Sequence, residues 1–164
     1  MPRQTDSPLA FCRHDHASCA SGVLDHVDRL AAKNGLRLTP VRRRTLEILL
    51  EAHQAMGAYD VLERLSADGF GTQPPVAYRA LEFLVEHGFV HRIRRLNAFT
   101  ACMQPGREHR PVFFICTACS SVAEAAAGAV QASLEAAALG LGFQIERMNL
   151  EAIGLCPACQ EHPA

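Results

Sequence analysis

The sequence predicts an α+β fold of two units: a helical unit that closes with a β-hairpin, and a smaller unit that mixes strands with one helix. Three observations predict it. Apolar residues recur at helical spacing through the first half of the 164-residue chain. Two short strand-like runs then flank an asparagine turn. Two Cys-x-x-Cys pairs enclose a strand-and-helix pattern near the C-terminus.

Four helices are predicted in the first unit, with apolar positions at Leu24–Ala31, Val41–Leu49, Tyr59–Leu65 and Val76–Val85. Thr39-Pro40 supplies the second helix with an N-cap hydroxyl and a proline at its first position. Pro74-Pro75 starts the fourth helix with proline at its first positions. Gly88 supplies the left-handed residue that ends it.

A hairpin follows the fourth helix directly. Phe89–Ile93 and Ala98–Cys102 are predicted strands, joined at Leu96-Asn97 because asparagine tolerates a tight turn. Helices that lead into such a hairpin are typical of a winged helix-turn-helix, whose last helix reads a DNA groove. Although the net charge is −1, local arginine clusters suit contact with phosphates. These clusters are Arg42-Arg43-Arg44 and Arg92/Arg94/Arg95.

The second unit begins with an apolar strand at Val112–Ile115 and a further strand near Val122. An alanine-rich helix is predicted from about Ala125 to Leu139, and a strand from Gln144 to Ile153. About 55 residues form a small core, so we expect this unit to need a covalent or metal staple and a partner. The predicted organisation is a flexible tail (1–22), a winged-helix domain (23–103), a hinge (104–110) and the small α/β domain (111–164).

The composition limits the class of protein. With 49% hydrophobic and 20% charged residues, the chain is not disordered by composition. No apolar run approaches the roughly 20 residues that span a bilayer, and the N-terminus lacks a signal-peptide pattern. We therefore expect a cytoplasmic protein with no membrane partner. Seven cysteines without an export signal favour metal ligands or redox groups over a disulfide framework.

The cysteine pairs are the strongest motif in the chain. Cys116/Cys119 and Cys156/Cys159 are separated by residues 120–155. Each pair offers two thiolates to one edge of a tetrahedron, so two pairs complete a structural zinc site with no open position. The alternative is two independent redox pairs, but no βαβ pattern of the thioredoxin kind surrounds them.

A second group of possible ligands is scattered along the sequence. It comprises His91, Cys102, His109 and Glu124. Spacing alone is weak evidence here, because each residue has an ordinary explanation as an exposed histidine, a buried thiol or a surface carboxylate. Nitrogen, sulfur and oxygen ligands of this kind would suit Zn²⁺ if they converged.

The predicted tail contains a third group, made up of Cys12, His14, His16 and Cys19. Two thiolates and two imidazoles could bind one ion. The alternative is a flexible segment that binds metal weakly, because ordering it costs entropy and no core helps.

Over about residues 23–160 the chain resembles the ferric uptake regulator family of metal-dependent repressors, and within it the zinc uptake regulators. The resemblance rests on Leu38–Arg42, Ala58–Leu62, Pro74–Leu81, Gly88–His91, Phe114–Cys119 and Gly154–Cys159. It implies a dimer formed by the second domain. It implies a structural zinc site at the four paired cysteines and a regulatory one at His91, Cys102, His109 and Glu124. For DNA it implies contacts by Tyr59, Tyr78 and Arg79, to which Arg92 and Arg94 would add attraction for phosphates.

The function expected from this resemblance is zinc-dependent repression of zinc-uptake genes by a homodimer bound to operator DNA. Two zinc ions per monomer are expected, and a third if the N-terminal Cys/His group binds metal. The chain is not expected to be an enzyme. An iron- or peroxide-responsive regulator remains an alternative, although a thiolate at Cys102 favours zinc. Two other classes remain: a zinc-ribbon adaptor that binds protein, and a zinc hydrolase or deaminase. The chain lacks the His-x-Glu and His-Glu-x-x-His motifs that are typical of this last class.

Overall fold

The computed structural model describes residues 16–52, 54–107 and 109–161, without the side chains of 16–19 and 52. The first unit consists of α1 (His16–Lys33), α2 (Pro40–Ala52), β1 (Met56–Gly57), α3 (Ala58–Ala67), α4 (Pro74–Glu86), β2 (Val90–Ile93) and β3 (Ala98–Ala101). Its sheet has the order β1-β3-β2, with both pairs antiparallel. The second unit consists of β4 (Pro111–Cys116), β5 (Val122–Ala126), α5 (Gly128–Gly140), β6 (Leu150–Gly154) and α6 (Pro157–Glu161). These elements confirm the predicted α+β fold.

The first unit has the larger core. Leu46, Leu49 and Leu50 of α2 are at most 1% exposed and pack with apolar residues of α3, α4 and the hairpin. Buried positions of α4 follow the helical period and include Leu81 and Leu84. This packing joins α4 and the hairpin into one body, because Phe89 and Val90 belong to the same cluster.

Two backbone positions set the path of the hairpin. Gly88 has φ +71°, and the amide of Phe89 donates to the carbonyl of Leu84 at 2.8 Å, which ends α4 as predicted. Asn97 has φ +47° in the turn between β2 and β3. Its side-chain oxygen accepts a hydrogen bond from Arg92 at 2.7 Å. The predicted asparagine turn is therefore present.

The second sheet has the order β5-β4-β6, with β5 antiparallel and β6 parallel to β4. Phe113 of β4 lies opposite Glu124 of β5 on one side and Glu151 of β6 on the other. We call these three residues the cross-strand row. Phe113 packs with Ile115, Val122 and the hairpin residue Ile93 in a second, smaller core. The hairpin of the first unit therefore lies against this sheet.

Several predicted boundaries are wrong. Helix α1 begins at His16, so residues 16–22 are helical and do not belong to an irregular tail; Ala20 packs against the core. Helix α5 begins at Gly128 because residues up to Ala126 extend β5 along β4, and pairing outweighs alanine's helical preference. Strand β6 starts only at Leu150, because its pairing with β4 begins there, opposite Val112.

Three smaller features also differ from the expectation. Strand β1 and helix α6 were not predicted, and both are short. Thr39 precedes α2, but its hydroxyl is buried without a hydrogen-bond partner and does not cap the helix. Within the residues that the structure describes, no helix is both long enough and apolar enough to cross a bilayer.

Candidate metal centres and DNA-contacting surface

The structure brings together the four scattered residues of the second group. His91 lies on β2, Cys102 directly follows β3, His109 precedes β4, and Glu124 lies on β5. One ligand atom from each lies within 4.8 Å of all the others. Two ligands belong to the hairpin, one to the predicted hinge and one to the second sheet. The group, which we call the junction site, therefore spans the boundary between the units.

The distances fit a small tetrahedral ion. His91 Nε2 lies 3.6 Å from Glu124 Oε1, and Cys102 Sγ lies 3.6 Å from His109 Nε2. Ligand bonds of about 2.0–2.3 Å set the ligand atoms of a tetrahedral zinc site about 3.3–3.8 Å apart. His109 Nε2 and Glu124 Oε1 are closer, at 2.5 Å. An ion held between these two atoms would require them to move apart.

One unpaired nitrogen and one very close pair of atoms at the junction site point to a cation. His91 Nε2 is buried and has no hydrogen-bond partner. The Nδ1 atom of His109 lies 2.7 Å from the carbonyl oxygen of Arg107 and donates a hydrogen bond to it. The lone pair of Nε2 then faces the carboxylate of Glu124, and two acceptors approach this closely only across a proton or a metal ion.

The protein environment controls the charge of these ligands. Burial raises the pKa of Cys102 to about 12, and the nearby Glu124 carboxylate adds to the effect. Burial also opposes ionisation of Glu124, whose side chain is 8% exposed. The His91 side chain, the Met103 amide and the His109 side chain outweigh that penalty and hold the pKa of Glu124 below its ordinary value. The Met103 amide donates to Glu124 Oε2 at 3.2 Å. The site thus combines a protonated thiol with an ionised carboxylate.

The paired cysteines form one cluster. Cys116 ends β4, Cys119 lies in the following turn, Cys156 follows β6 and Cys159 lies on α6. Their sulfur atoms all lie within 4.8 Å of one another, and Cys119 Sγ is 3.8 Å from Cys156 Sγ. This separation is close to the edge of a zinc–thiolate tetrahedron, about 3.8 Å, and far from the roughly 2 Å of a disulfide. One four-thiolate site fits this arrangement better than two redox pairs.

Backbone amides prepare this cluster for a metal ion. The Cys156 amide donates to Cys116 Sγ at 3.4 Å. Together with the Cys119 amide it lowers the pKa of Cys116 to about 6, which favours the thiolate that zinc requires. Hydrogen bonds with Cys156 and Cys119 instead raise the pKa of Cys159 to about 12, so that thiol would lose its proton as an ion binds. These amides give no sequence signal, so sequence reasoning could not find them. Of the third group, Cys12 and His14 lie outside the described residues, as do the side chains of His16 and Cys19.

The predicted DNA-contacting residues lie on the surface of the first unit. Tyr59 at the start of α3 is 67% exposed and Tyr78 of α4 is 40% exposed. Their rings meet edge to face with centroids 6.4 Å apart. Arg79 of α4 is exposed, as are Arg92 and Arg94 of the hairpin. These side chains supply aromatic and cationic groups of the kind that contact bases and phosphates.

The arginine run of α2 contributes less positive charge than its sequence indicates. Arg43 forms ion pairs with Asp28 and Glu47, and Arg44 pairs with three carboxylates, of Glu47, Glu51 and Asp68. The guanidinium of Arg42 stacks on Phe83 at 3.5 Å from the ring centroid. The carboxylates neutralise much of the charge that a phosphate would meet.

Residues 33–153 match the ferric uptake regulator family. The match covers most of the chain. The chain belongs to this family. The zinc uptake regulation protein of Escherichia coli (strain K12) is 36% identical over 142 residues, which cover 85% of this chain and 82% of the relative. The resemblance inferred from the sequence is thereby confirmed.

Solved structures of family members agree with the fold. A zinc uptake regulator complexed with zinc and DNA is 34% identical and superposes with a TM-score of 0.82, covering 87% of this chain and 95% of the other. Holo XcZur is 39% identical and superposes with a TM-score of 0.77, covering 87% and 99%. For apo XcZur, at the same identity and coverage, the TM-score is 0.51. This chain therefore superposes better on the holo form than on the apo form.

Proposed function

We propose that this protein is a zinc-responsive transcriptional repressor. As a homodimer it binds operator DNA when the junction site holds zinc, and it controls zinc-uptake genes. The observation that carries the proposal is the composition of the junction site, whose ligands come from both units. An ion can shift a conformational equilibrium only through its different affinity for the two arrangements. Ligands on both sides of a movable boundary supply that difference.

The ligand chemistry favours zinc over iron. A buried cysteine sulfur, two imidazoles and a carboxylate provide four ligands of the type that zinc prefers. A set of four protein ligands leaves no open position for a substrate, so the protein is proposed to bind and not to catalyse. An iron- or peroxide-responsive member of the family is the second candidate, and the observation against it is the Cys102 thiol.

The four-cysteine cluster is proposed to hold a structural zinc ion, which gives two ions per monomer. Within the described residues, the second core has only four buried apolar residues, one of them from the hairpin. Metal binding at such a site contributes directly to the free energy of folding. A third ion at the N-terminal Cys/His group would raise the count to three.

The apolar surface of the second unit supports a homodimer. Leu139 and Leu141 at the end of α5 are 82% and 84% exposed, and Phe143 is 65% exposed. Leaving such a patch in water is unfavourable, so a second copy is the proposed cover. A two-fold dimer must present its two α4 helices about 34–36 Å apart to read successive major grooves. Since its partner is chromosomal DNA, the protein is proposed to act in the cytoplasm.

The test measures bound zinc and DNA affinity together. The protein is equilibrated across buffered free zinc concentrations, zinc per monomer is counted, and binding is measured to duplexes selected from a random-sequence pool by the zinc-loaded protein. Two ions per monomer, with DNA binding that appears as the second ion binds, support the proposal. A response to Fe²⁺ but not to Zn²⁺ would favour the second candidate. DNA binding that is unaffected by a chelator would overturn the proposal.

A further inference from the structure

The two units are also joined at a point away from the metal ligands. Glu151 of β6 accepts hydrogen bonds from two successive backbone amides in the turn of the hairpin. Arg94 N donates to Oε1 at 2.8 Å and Arg95 N to Oε2 at 3.1 Å. Both carboxylate oxygens are therefore used, and both donors belong to the other unit.

The register of the second sheet explains why Glu151 reaches the hairpin. In the cross-strand row, Glu124, Phe113 and Glu151 stand side by side on one face. Glu124 accepts the Met103 amide beyond β3, and Phe113 packs against Ile93 and the ring of His91. The row therefore contacts the hairpin, or the residue just beyond it, at three points, with a carboxylate at each end.

The two carboxylates differ in one respect. Glu124 belongs to the junction site, so its contact with the hairpin depends on the state of that site. Glu151 is not part of either candidate metal group within the described residues. Its contact with the turn requires the same relative position of the two units but needs no metal ion.

We propose that Glu151 is a positioning residue, a metal-independent contact that holds the hairpin, and with it α4, in the DNA-binding arrangement. The inference rests on the proposed function and deepens it. Because α4 and the hairpin share one core, an anchor on the hairpin turn also orients α4. Zinc and the Glu151 contact then favour the same arrangement, so each strengthens the other. Loss of Glu151 lowers the apparent zinc affinity of the junction site, since fewer molecules are in the competent arrangement.

The test compares the full-length variants Glu151→Ala and Glu151→Gln with wild type. The matched control is Glu146→Ala, which removes the same charge from an exposed glutamate of the second unit. Removing a negative charge by itself strengthens attraction to phosphates. A weaker complex in Glu151→Ala therefore cannot come from the charge change. Glu151→Gln keeps one acceptor oxygen, so it should restore part of the effect.

In Glu151→Ala we expect the apparent zinc affinity of the junction site, measured without DNA, to fall about tenfold, or about 1.4 kcal/mol. The Arg94 and Arg95 amides should exchange hydrogen faster. DNA affinity should fall at the free zinc concentration that half-saturates the wild type, and excess zinc should restore it. A residue with only a structural role would not show this restoration.

Two results would overturn the proposal: zinc affinity in Glu151→Ala equal to that of Glu146→Ala, or a loss of DNA affinity that excess zinc does not restore. Failure of the proposed function would be visible separately, because wild-type protein would then select no DNA in a zinc-dependent way. The zinc titration without DNA still decides the role of Glu151 in that case.

Discussion

Cys102 Sγ lies 3.6 Å from Nε2 of His109, although Cys102 leaves the hairpin and His109 stands at the entry to β4. This contact brings the end of the hairpin close to the residue that leads into β4, and both residues belong to one candidate site. Because Cys102 directly follows β3 and His109 precedes β4, an ion held by both would join the hairpin to the second sheet.

The first prediction removes this thiol. Cys102→Ser should give a folded dimer that binds one zinc ion per monomer and whose DNA affinity no longer rises with zinc, because a serine hydroxyl is not a zinc ligand at neutral pH. Zinc counting and DNA titration with and without a chelator check it. Thr100→Ser, a small change two positions away on β3, is the control and should respond like wild type. An unchanged zinc response in Cys102→Ser would exclude the junction site as the sensor.

The second prediction concerns the four-cysteine cluster. Cys116→Ser should lose one zinc ion per monomer and destabilise the second unit severely, because structural zinc binding contributes on the order of 10 kcal/mol of apparent folding free energy. Thermal unfolding followed by circular dichroism, with sedimentation to follow the dimer, measures both effects. Thr117→Ser tests whether any change in this turn is harmful, and it should have little effect. A stable dimer of Cys116→Ser would argue against a structural role.

The third prediction is a proton release. The pKa of Cys102 is raised to about 12, so its thiol is protonated at pH 7, whereas zinc binds the thiolate. Zinc binding at the junction site should therefore release at least one proton per ion, and its affinity should rise about tenfold per pH unit for each proton released. Calorimetry in buffers of different ionisation enthalpy measures the number. A release of zero protons would mean that Cys102 is not a ligand.

The fourth prediction separates base contacts from phosphate contacts. Arg79→Ala on α4 should cost about 1–3 kcal/mol of DNA-binding free energy and relax the preference at one base position. Arg94→Gln on the hairpin should weaken binding to all sequences alike and reduce the salt dependence by about one phosphate contact. Affinities for single-base variants of a selected duplex, measured at several salt concentrations, distinguish the two. Equal behaviour of the two variants would remove the assignment of α4 as the reading helix.

Local patterns predicted much of the fold because they reflect local physics. Apolar periodicity placed α2, α3 and α4, and Gly88 and Asn97 adopt the positive φ angles expected where a helix ends and a hairpin turns. Predictions that depended on distant partners were less successful. Helix α5 starts later than predicted because β5 continues along β4. The positive charge of Arg43 and Arg44 is offset by carboxylates from other parts of the chain.

The sequence by itself determined the α+β class, the membership of a family and the four-cysteine motif, since each is written in neighbouring residues or in fixed spacings. Only the tertiary structure decided that His91, Cys102, His109 and Glu124 meet at one point and that Glu151 reaches the hairpin turn. The role of the four junction-site residues as zinc ligands stays a prediction. The physical reason is that these contacts depend on how two units pack and on the register of a three-stranded sheet, and no local pattern encodes either.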